Sequence, residues 1–227
     1  MPENERANPF GSPAVAAAYD SWFETPLGRL VDTLEWALIQ RLAQPRAGES
    51  ALDVGAGTGH FALLLADQGL VVIGYDSSAA MLDVARQKSE GQVLVGGVQW
   101  QQGQGEHLPY SDGSFHLVLC VTALEFVQDR QRALDEMWRV TAPGGRMVVA
   151  VLNANGPWGR FYRQEALLRE TPFSRAHFYT AGEFVAALQR YGPPQWNSSV
   201  FFGPRGPGWR FAALLERLGQ RLGKRHG

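Results

Sequence analysis

The sequence predicts an α/β protein: a doubly wound, mostly parallel sheet with helices on both faces and a helical lid. Three observations carry this. Strand-like apolar runs alternate with helix-like runs from residue 51 to residue 152, and parallel strands joined in that way need right-handed helical crossovers. The first strand runs into Gly55-Ala-Gly57-Thr-Gly59-His60, a turn with glycine at alternate positions that opens directly into a helix. Such a turn takes positive φ and lets a ligand lie against bare backbone, beside the free N–H groups of the helix's first turn. The second strand ends on Asp76, where a carboxylate is placed to accept from both hydroxyls of a ribose.

Taken in order, residues 1–13 are polar and carry Pro2, Pro9, Gly11 and Pro13, which predicts a flexible leader. The remainder, 14–227, reads as a single domain in three stretches: lid helices over 14–45, a cofactor-binding core over 50–153, and acceptor-side elements over 154–227. Tyr19, Trp22 and Phe23 mark a first helix, and Leu30, Leu34, Ala37, Leu38 and Leu42 give a second an apolar stripe. After the glycine turn the pattern predicts a helix over 61–67, a fully buried strand over 70–75, and a helix over 79–88 capped by Ser77. Strands over 98–101, 115–121 and 146–152 follow, with a helix over 130–140 stopped by Pro143-Gly144-Gly145. Beyond residue 153 helices are expected over 155–168, 181–190 and 209–222, and the alternation of 196–202 predicts a sixth strand.

Composition narrows the function. With 227 residues, 45% of them apolar, the chain builds one well-packed core. A net charge of −1, with arginines dispersed until the basic tail of Arg210, Arg217, Arg221, Lys224 and Arg225, argues against a nucleic-acid partner. The tail reads as a solvated helix face. A single cysteine, Cys120, excludes an internal disulfide, a cysteine-based metal site and methyl transfer through a cysteine set. No apolar run reaches membrane-spanning length and the amino terminus does not read as a signal peptide, so a cytoplasmic monomer or homodimer is expected.

Two cofactor classes use a glycine turn after the first strand of such a sheet, dinucleotides and S-adenosylmethionine. A dinucleotide site wants G-x-G-x-x-G, which seats a pyrophosphate on the helix N-terminus. Here the glycines are 55, 57 and 59, His60 stands where the third should be, and Asp53 lies inside the strand. A carboxylate at that place suits an ammonium and repels a pyrophosphate. Asp76 serves either class.

The motifs Leu52-Asp-Val-Gly-Ala-Gly-Thr-Gly59, Gly74-Tyr-Asp-Ser77 with Met81, Gly103-Gln-Gly-Glu-His-Leu-Pro-Tyr110, Ser114-Phe-His-Leu-Val118 and the Pro-Gly-Gly ending at Gly145 span much of the chain. Through them the sequence resembles class I S-adenosylmethionine-dependent methyltransferases of Rossmann-like fold. It is similar in particular to the small-molecule branch of ubiquinone and menaquinone biosynthesis. The resemblance implies that the glycine turn and Asp53 hold the methionine end, Asp76 the ribose, and Ser77 and Met81 the edge and face of adenine. Gln104 and Gly105 would border the adenine amino group, and Val121 and Thr122 would line the methionine side. Read from their own chemistry, Tyr19, Trp22 and Phe23 either form an amphipathic helix face or fold over the cofactor, where aromatic faces attract a sulfonium. The chain departs from the family at Gln104 and His116, where aspartate is usual. The last helix is followed only by Gly223 to Gly227, so either the seventh strand is absent or the chain stops before it.

The expected reaction is S-adenosylmethionine-dependent methyl transfer by in-line displacement to a small, apolar or aromatic acceptor. Such chemistry asks little of side chains, and His107, Glu125 and His177 are the candidate bases. Two other readings are a catalytically silent S-adenosylmethionine-binding partner subunit and an NAD(P)-dependent oxidoreductase. No Tyr-x-x-x-Lys pair is present to serve the latter.

Overall fold

The computed structural model describes residues 8–205 and 207–222. In chain order these form α1 (Pro13–Tyr19), α2 (Ser21–Glu24), α3 (Pro26–Ala43), β1 (Ser50–Val54), α4 (His60–Asp67), β2 (Val71–Asp76), α5 (Ala79–Glu90) and β3 (Gly97–Gln102). There follow β4 (Phe115–Val121), α6 (Arg130–Val140), β5 (Thr141–Ala150), α7 (Pro157–Leu168), α8 (Ala181–Gln189) and α9 (Ala212–Leu222), with short 3-10 turns at Leu124–Phe126, Pro172–Arg175 and Pro207–Phe211. They fall into two compact units. A sheet unit joins the residues up to Asp20 to Ala43–Val151, and a helical unit joins Ser21–Leu42 to the residues from Leu152 on.

In the sheet unit five parallel strands lie in the order β3-β2-β1-β4-β5. The centre is apolar because it must be: Ala51, Leu52, Leu117, Val118 and Leu119 have no exposed surface, as befits strands covered on both faces. β1 pairs on one side with β2, Asp53 opposite Gly74, and on the other with β4, Asp53 opposite Leu119. The chain winds outward from β1 through β2 to β3, then returns to β4 on β1's other side. The carboxyl ends of β1 and β4 therefore form the switch point of the sheet, where a crevice opens.

Several elements differ from expectation. Ser78, not Ser77, caps α5, its Oγ accepting from Met81 N at 3.2 Å, because Asp76 Oδ1 holds the Ser78 amide at 2.7 Å and turns the chain one residue later. β5 begins at Thr141 and so contains Pro143, Gly144 and Gly145. This edge strand accommodates them through a register shift opposite Phe115 to Leu117, with Gly144 at φ 76°. The sixth strand expected over 196–202 does not form. Val200 sits at φ 61°, outside extended geometry, and the Phe201 amide donates to Glu216 Oε1 of α9 at 2.8 Å rather than to a neighbouring strand. No sixth or seventh strand occurs among the described residues. Of the expected leader, residues 1–7 lie outside the described residues, as do Lys224 and Arg225 of the tail. Residues 8–12 pack on the sheet unit, and Pro13 already opens α1 behind a Ser12 cap.

The helical unit has its own core. Val31, Val200, Phe202 and Ala212 are buried together, covered by Trp22, Leu30, Leu34, Trp158 and Leu215. No helix among the described residues is long and apolar enough to cross a membrane.

Candidate functional site

The three glycines of the turn are needed for three different reasons. All have positive φ: 76° at Gly55, 55° at Gly57 and 81° at Gly59. A Cβ on Gly55 would lie 2.2 Å from that of Ala123, so this glycine lets the turn pass the loop after β4. A Cβ on Gly59 would lie 2.3 Å from the Trp100 ring, which also lies beneath Gly74. Gly57 meets nothing within 4 Å, because it faces a cavity. The strand tip fixes the turn: Tyr75 O accepts from the Gly55 amide at 2.7 Å, and Asp76 Oδ2 accepts from the Gly57 amide at 2.8 Å.

That cavity, of about 1070 Å³, occupies the switch point. Gly55, Gly57, Asp76, Ser77, Met81, Gln104, Gly105, Val121 and Thr122 line it together, as does Tyr19. Each carboxylate oxygen of Asp76 already accepts one amide, from Gly57 or Ser78, and retains capacity for a second donor. Burial raises its pKa, opposed by the backbone hydrogen bonds of Ser78, Gly57 and Ser77. Met81 is 2% exposed and forms part of the cavity wall at the start of α5. Thr122 has φ 47°, costly for a β-branched residue, and is held by the hydrogen bond its N–H donates to Ala150 O at 2.8 Å.

The acidic residues Asp76, Asp83 and Glu106 contribute to the wall, and among the described residues no Lys, Arg or His does. Asp83 is paired with Arg86 at 2.7 Å, so the negative charge the wall presents to a cation comes from Asp76 and Glu106.

The segment before α1 supplies wall residues that the sequence did not mark. Phe10 packs edge-on to Phe126, ring centroids 4.9 Å apart, and to Tyr19 at 5.9 Å. Ser78 Oγ donates to Phe10 O at 3.0 Å, and Asn8 Nδ2 donates to Ser77 Oγ at 3.0 Å. The far end of α1 is tied down by Asp20, which accepts from buried Thr58 Oγ1 at 2.6 Å and pairs with Lys88 Nζ at 2.8 Å. The only visible signal was an aromatic residue between Pro9 and Gly11 in an otherwise polar stretch.

Other expected residues stand off the wall. Gly59 serves helix packing. Asp53 is 2% exposed and is not on the cavity surface, and its Oδ2 has no hydrogen-bond partner. Burial and the nearby Asp76 charge push its pKa up to about 7, against a backbone hydrogen bond from Ala62 at the start of α4. A direct contact with a ligand is therefore not formed by this carboxylate where it lies, because the turn and α4 enclose it. His107 is exposed with its ring off the wall, and Glu125 is 1% exposed in the turn after β4 and likewise off it. His177 belongs to the helical unit, edge-on to Tyr179. His116, at the opposite end of β4, shares a hydrogen bond with Ser50 Oγ at 2.8 Å, a structural use.

A family model described as a methyltransferase domain matches residues 52–149. An uncharacterized protein of Mycobacterium tuberculosis is 35% identical over 181 residues, 78% of this chain and 58% of that protein. A demethylmenaquinone methyltransferase of Deinococcus radiodurans is 38% identical over 116 residues, 49% of this chain and 47% of that one. The crystal structure of an S-adenosylmethionine-dependent methyltransferase of Thermotoga maritima, titled a possible histamine N-methyltransferase, is similar at 26% identity. Its TM-score is 0.63, over 81% of this chain and 79% of that one.

Residues 52–149 form a class I methyltransferase domain. The cofactor named for the Thermotoga maritima neighbour is S-adenosylmethionine. The chain spans less than two thirds of the length of the curated relatives it matches.

The methyltransferase domain fits that cofactor on its own residues. Its cavity offers a half-committed carboxylate at Asp76, a side-chain-free approach at Gly57 and a wall that carries acidic side chains and no basic one.

Proposed function

We propose that the chain is an enzyme that binds S-adenosylmethionine in the switch-point cavity and methylates a small, apolar or aromatic acceptor by in-line displacement. The observation that carries this is the cavity's charge: acidic side chains on the wall and no basic one, which suits a sulfonium and an ammonium and disfavours a pyrophosphate. The cofactor supplies a methyl group already activated on a cationic sulfur. The chain's residues have to hold, align and dry it. Asp76 would accept from the ribose hydroxyls, Ser77 and Met81 would border adenine with Gln104 and Gly105, and Val121 and Thr122 would line the methionine end. Asp53 would act through the turn, as a buried carboxyl behind the Gly55–Gly59 backbone.

Phe10, Tyr19 and Phe126 give the same cavity an aromatic side that attracts a cation and excludes water. The volume lies at or above the ~300–1,000 Å³ usual for one small ligand, which supports an acceptor bound beside the cofactor. Neither His107 nor Glu125 reaches the wall, and the reading needs no base among them. Alignment alone supplies on the order of 7–11 kcal/mol in well-oriented reactions.

The test is transfer of labelled methyl from S-adenosylmethionine to a panel of phenols, quinols, amines and thiols. Turnover on an apolar or aromatic member is expected. Tight cofactor binding with no turnover on any member would contradict the transferase reading and favour a silent binding subunit.

A further inference from the structure

We propose that the outer face of α9, with the turn before it, is an interfacial anchor that seats the chain on an anionic lipid surface. In α9 the inward side is fixed. Ala212 and Glu216 are each 6% exposed, Glu216 holds the Phe201 amide, and the Phe201 ring lies where a Cβ on Gly219 would be, 2.2 Å away. With that side committed, helical periodicity turns Phe211, Leu214 and Leu218 outward at i, i+3 and i+7. They are 61%, 57% and 47% exposed, and Trp209 just ahead of them is 38% exposed. A solvated helix face carries polar side chains at such positions. This one carries a row of large apolar groups, in a helix of only 11 residues.

The charge beside that row identifies its occupant. Arg210 and Arg217 are exposed next to the apolar row, with the Arg210 guanidinium 5.8 Å from the centre of the Trp209 ring. Among the described residues neither forms a salt bridge, and the one acid of α9, Glu216, is turned inward. A second copy packed on this face by two-fold symmetry would bring arginine against arginine with no carboxylate between. An anionic headgroup layer satisfies both features, arginines at the phosphates and the Phe211-Leu214-Leu218 row in the acyl boundary. Trp209 fits the headgroup level, where its amphipathic ring is favoured. The placement is independent of the methyl-transfer reading and of the switch-point cavity.

The experiment is co-sedimentation of the full chain with vesicles of phosphatidylcholine alone or with about one third phosphatidylglycerol, at low and high salt. Binding to the anionic vesicles that weakens with salt is expected, with little binding to phosphatidylcholine alone. Changing Arg210 and Arg217 together to Gln should lower partitioning about thirtyfold, which is ~2 kcal/mol at ~1 kcal/mol per basic residue. Phe211→Ser with Leu214→Ser and Leu218→Ser should abolish it while leaving cofactor binding and the far-ultraviolet circular dichroism unchanged, since all three side chains are outside the core. The arginine pair is exposed and leaves the buried side of α9 untouched, losing only the Arg210 contact with the Trp209 ring, and so keeps the test meaningful if the triple variant unfolds. No binding to anionic vesicles would overturn the proposal. So would a dimer in solution that the triple variant dissociates, or binding to polyglutamate but not to vesicles.

Discussion

At the scale of single residues, the cavity rests on carboxylates whose environments differ. Asp76 accepts the Gly57 and Ser78 amides and opens to the cavity, so on the proposed function Asp76→Ala would remove two charge-assisted bonds to a ribose diol. At ~1.5–3 kcal/mol each, S-adenosylmethionine affinity should fall by about a hundredfold or more, read by calorimetry. Asp53 is a different case, since its folded pKa of about 7 lies above its unfolded value of 3.8. Below about pH 4 it is neutral in both states. As the pH rises to 7 the unfolded chain releases the proton first, so stability is lost across that window, by up to about 4 kcal/mol above it. Asp53→Asn should therefore raise the melting temperature at pH 8 and leave it nearly unchanged at pH 4; equal shifts at both would contradict the assignment. Among the glycines, Gly57→Ala has space but not the backbone angle, and should cost ~1–2 kcal/mol of stability while crowding the cavity. Gly55→Ala adds a clash with Ala123 and should destabilise more, which thermal melts of the two variants will rank.

At the scale of elements, the residues from Asn8 through α1 form a strap across one side of the cavity, buttoned by Phe10 on Phe126 at one end and Asp20 on Thr58 and Lys88 at the other. Phe10→Ala should speed cofactor release about tenfold in stopped-flow displacement, consistent with an aromatic pair worth ~0.5–1.5 kcal/mol beyond its buried area. The strap was not legible in the sequence, because Asn8 to Ser12 is mostly polar and proline-bearing and is tied down by partners far along the chain, Ser77, Ser78 and Phe126. The core elements were legible because burial writes itself locally. β4 is apolar on both faces, and α6 starts on an Asp129 cap. The sixth strand misled for the converse reason: the alternation of 196–202 is local, whereas strand pairing needs a free neighbour, and the Phe201 amide is already taken by Glu216. Thr122 is similar, since its left-handed backbone is imposed by β5 and no β-branched residue advertises such an angle.

At the scale of the molecule, the convergence of the strand-end residues on one cavity was readable and the cavity's aromatic side was not. The glycine turn, Asp76 and the Gln104-Gly105 loop lie close to the ends of strands whose order follows from α/β alternation, so their convergence could be anticipated. The aromatic side of the cavity is gathered by tertiary packing, Phe10 on Phe126, and carries no spacing signal. The two units also divide the chain in a way that no composition boundary marks, with Ser21–Leu42 joining the residues after Leu152. The central claim is that the switch-point cavity takes a cationic adenosyl cofactor. It is tested most directly by calorimetric titration of the full chain with S-adenosylmethionine and, separately, with NADH, on wild type and Asp76→Ala. The account predicts binding of S-adenosylmethionine to wild type, at least a hundredfold weaker in Asp76→Ala, and no measurable binding of NADH. Preferential binding of NADH would contradict it.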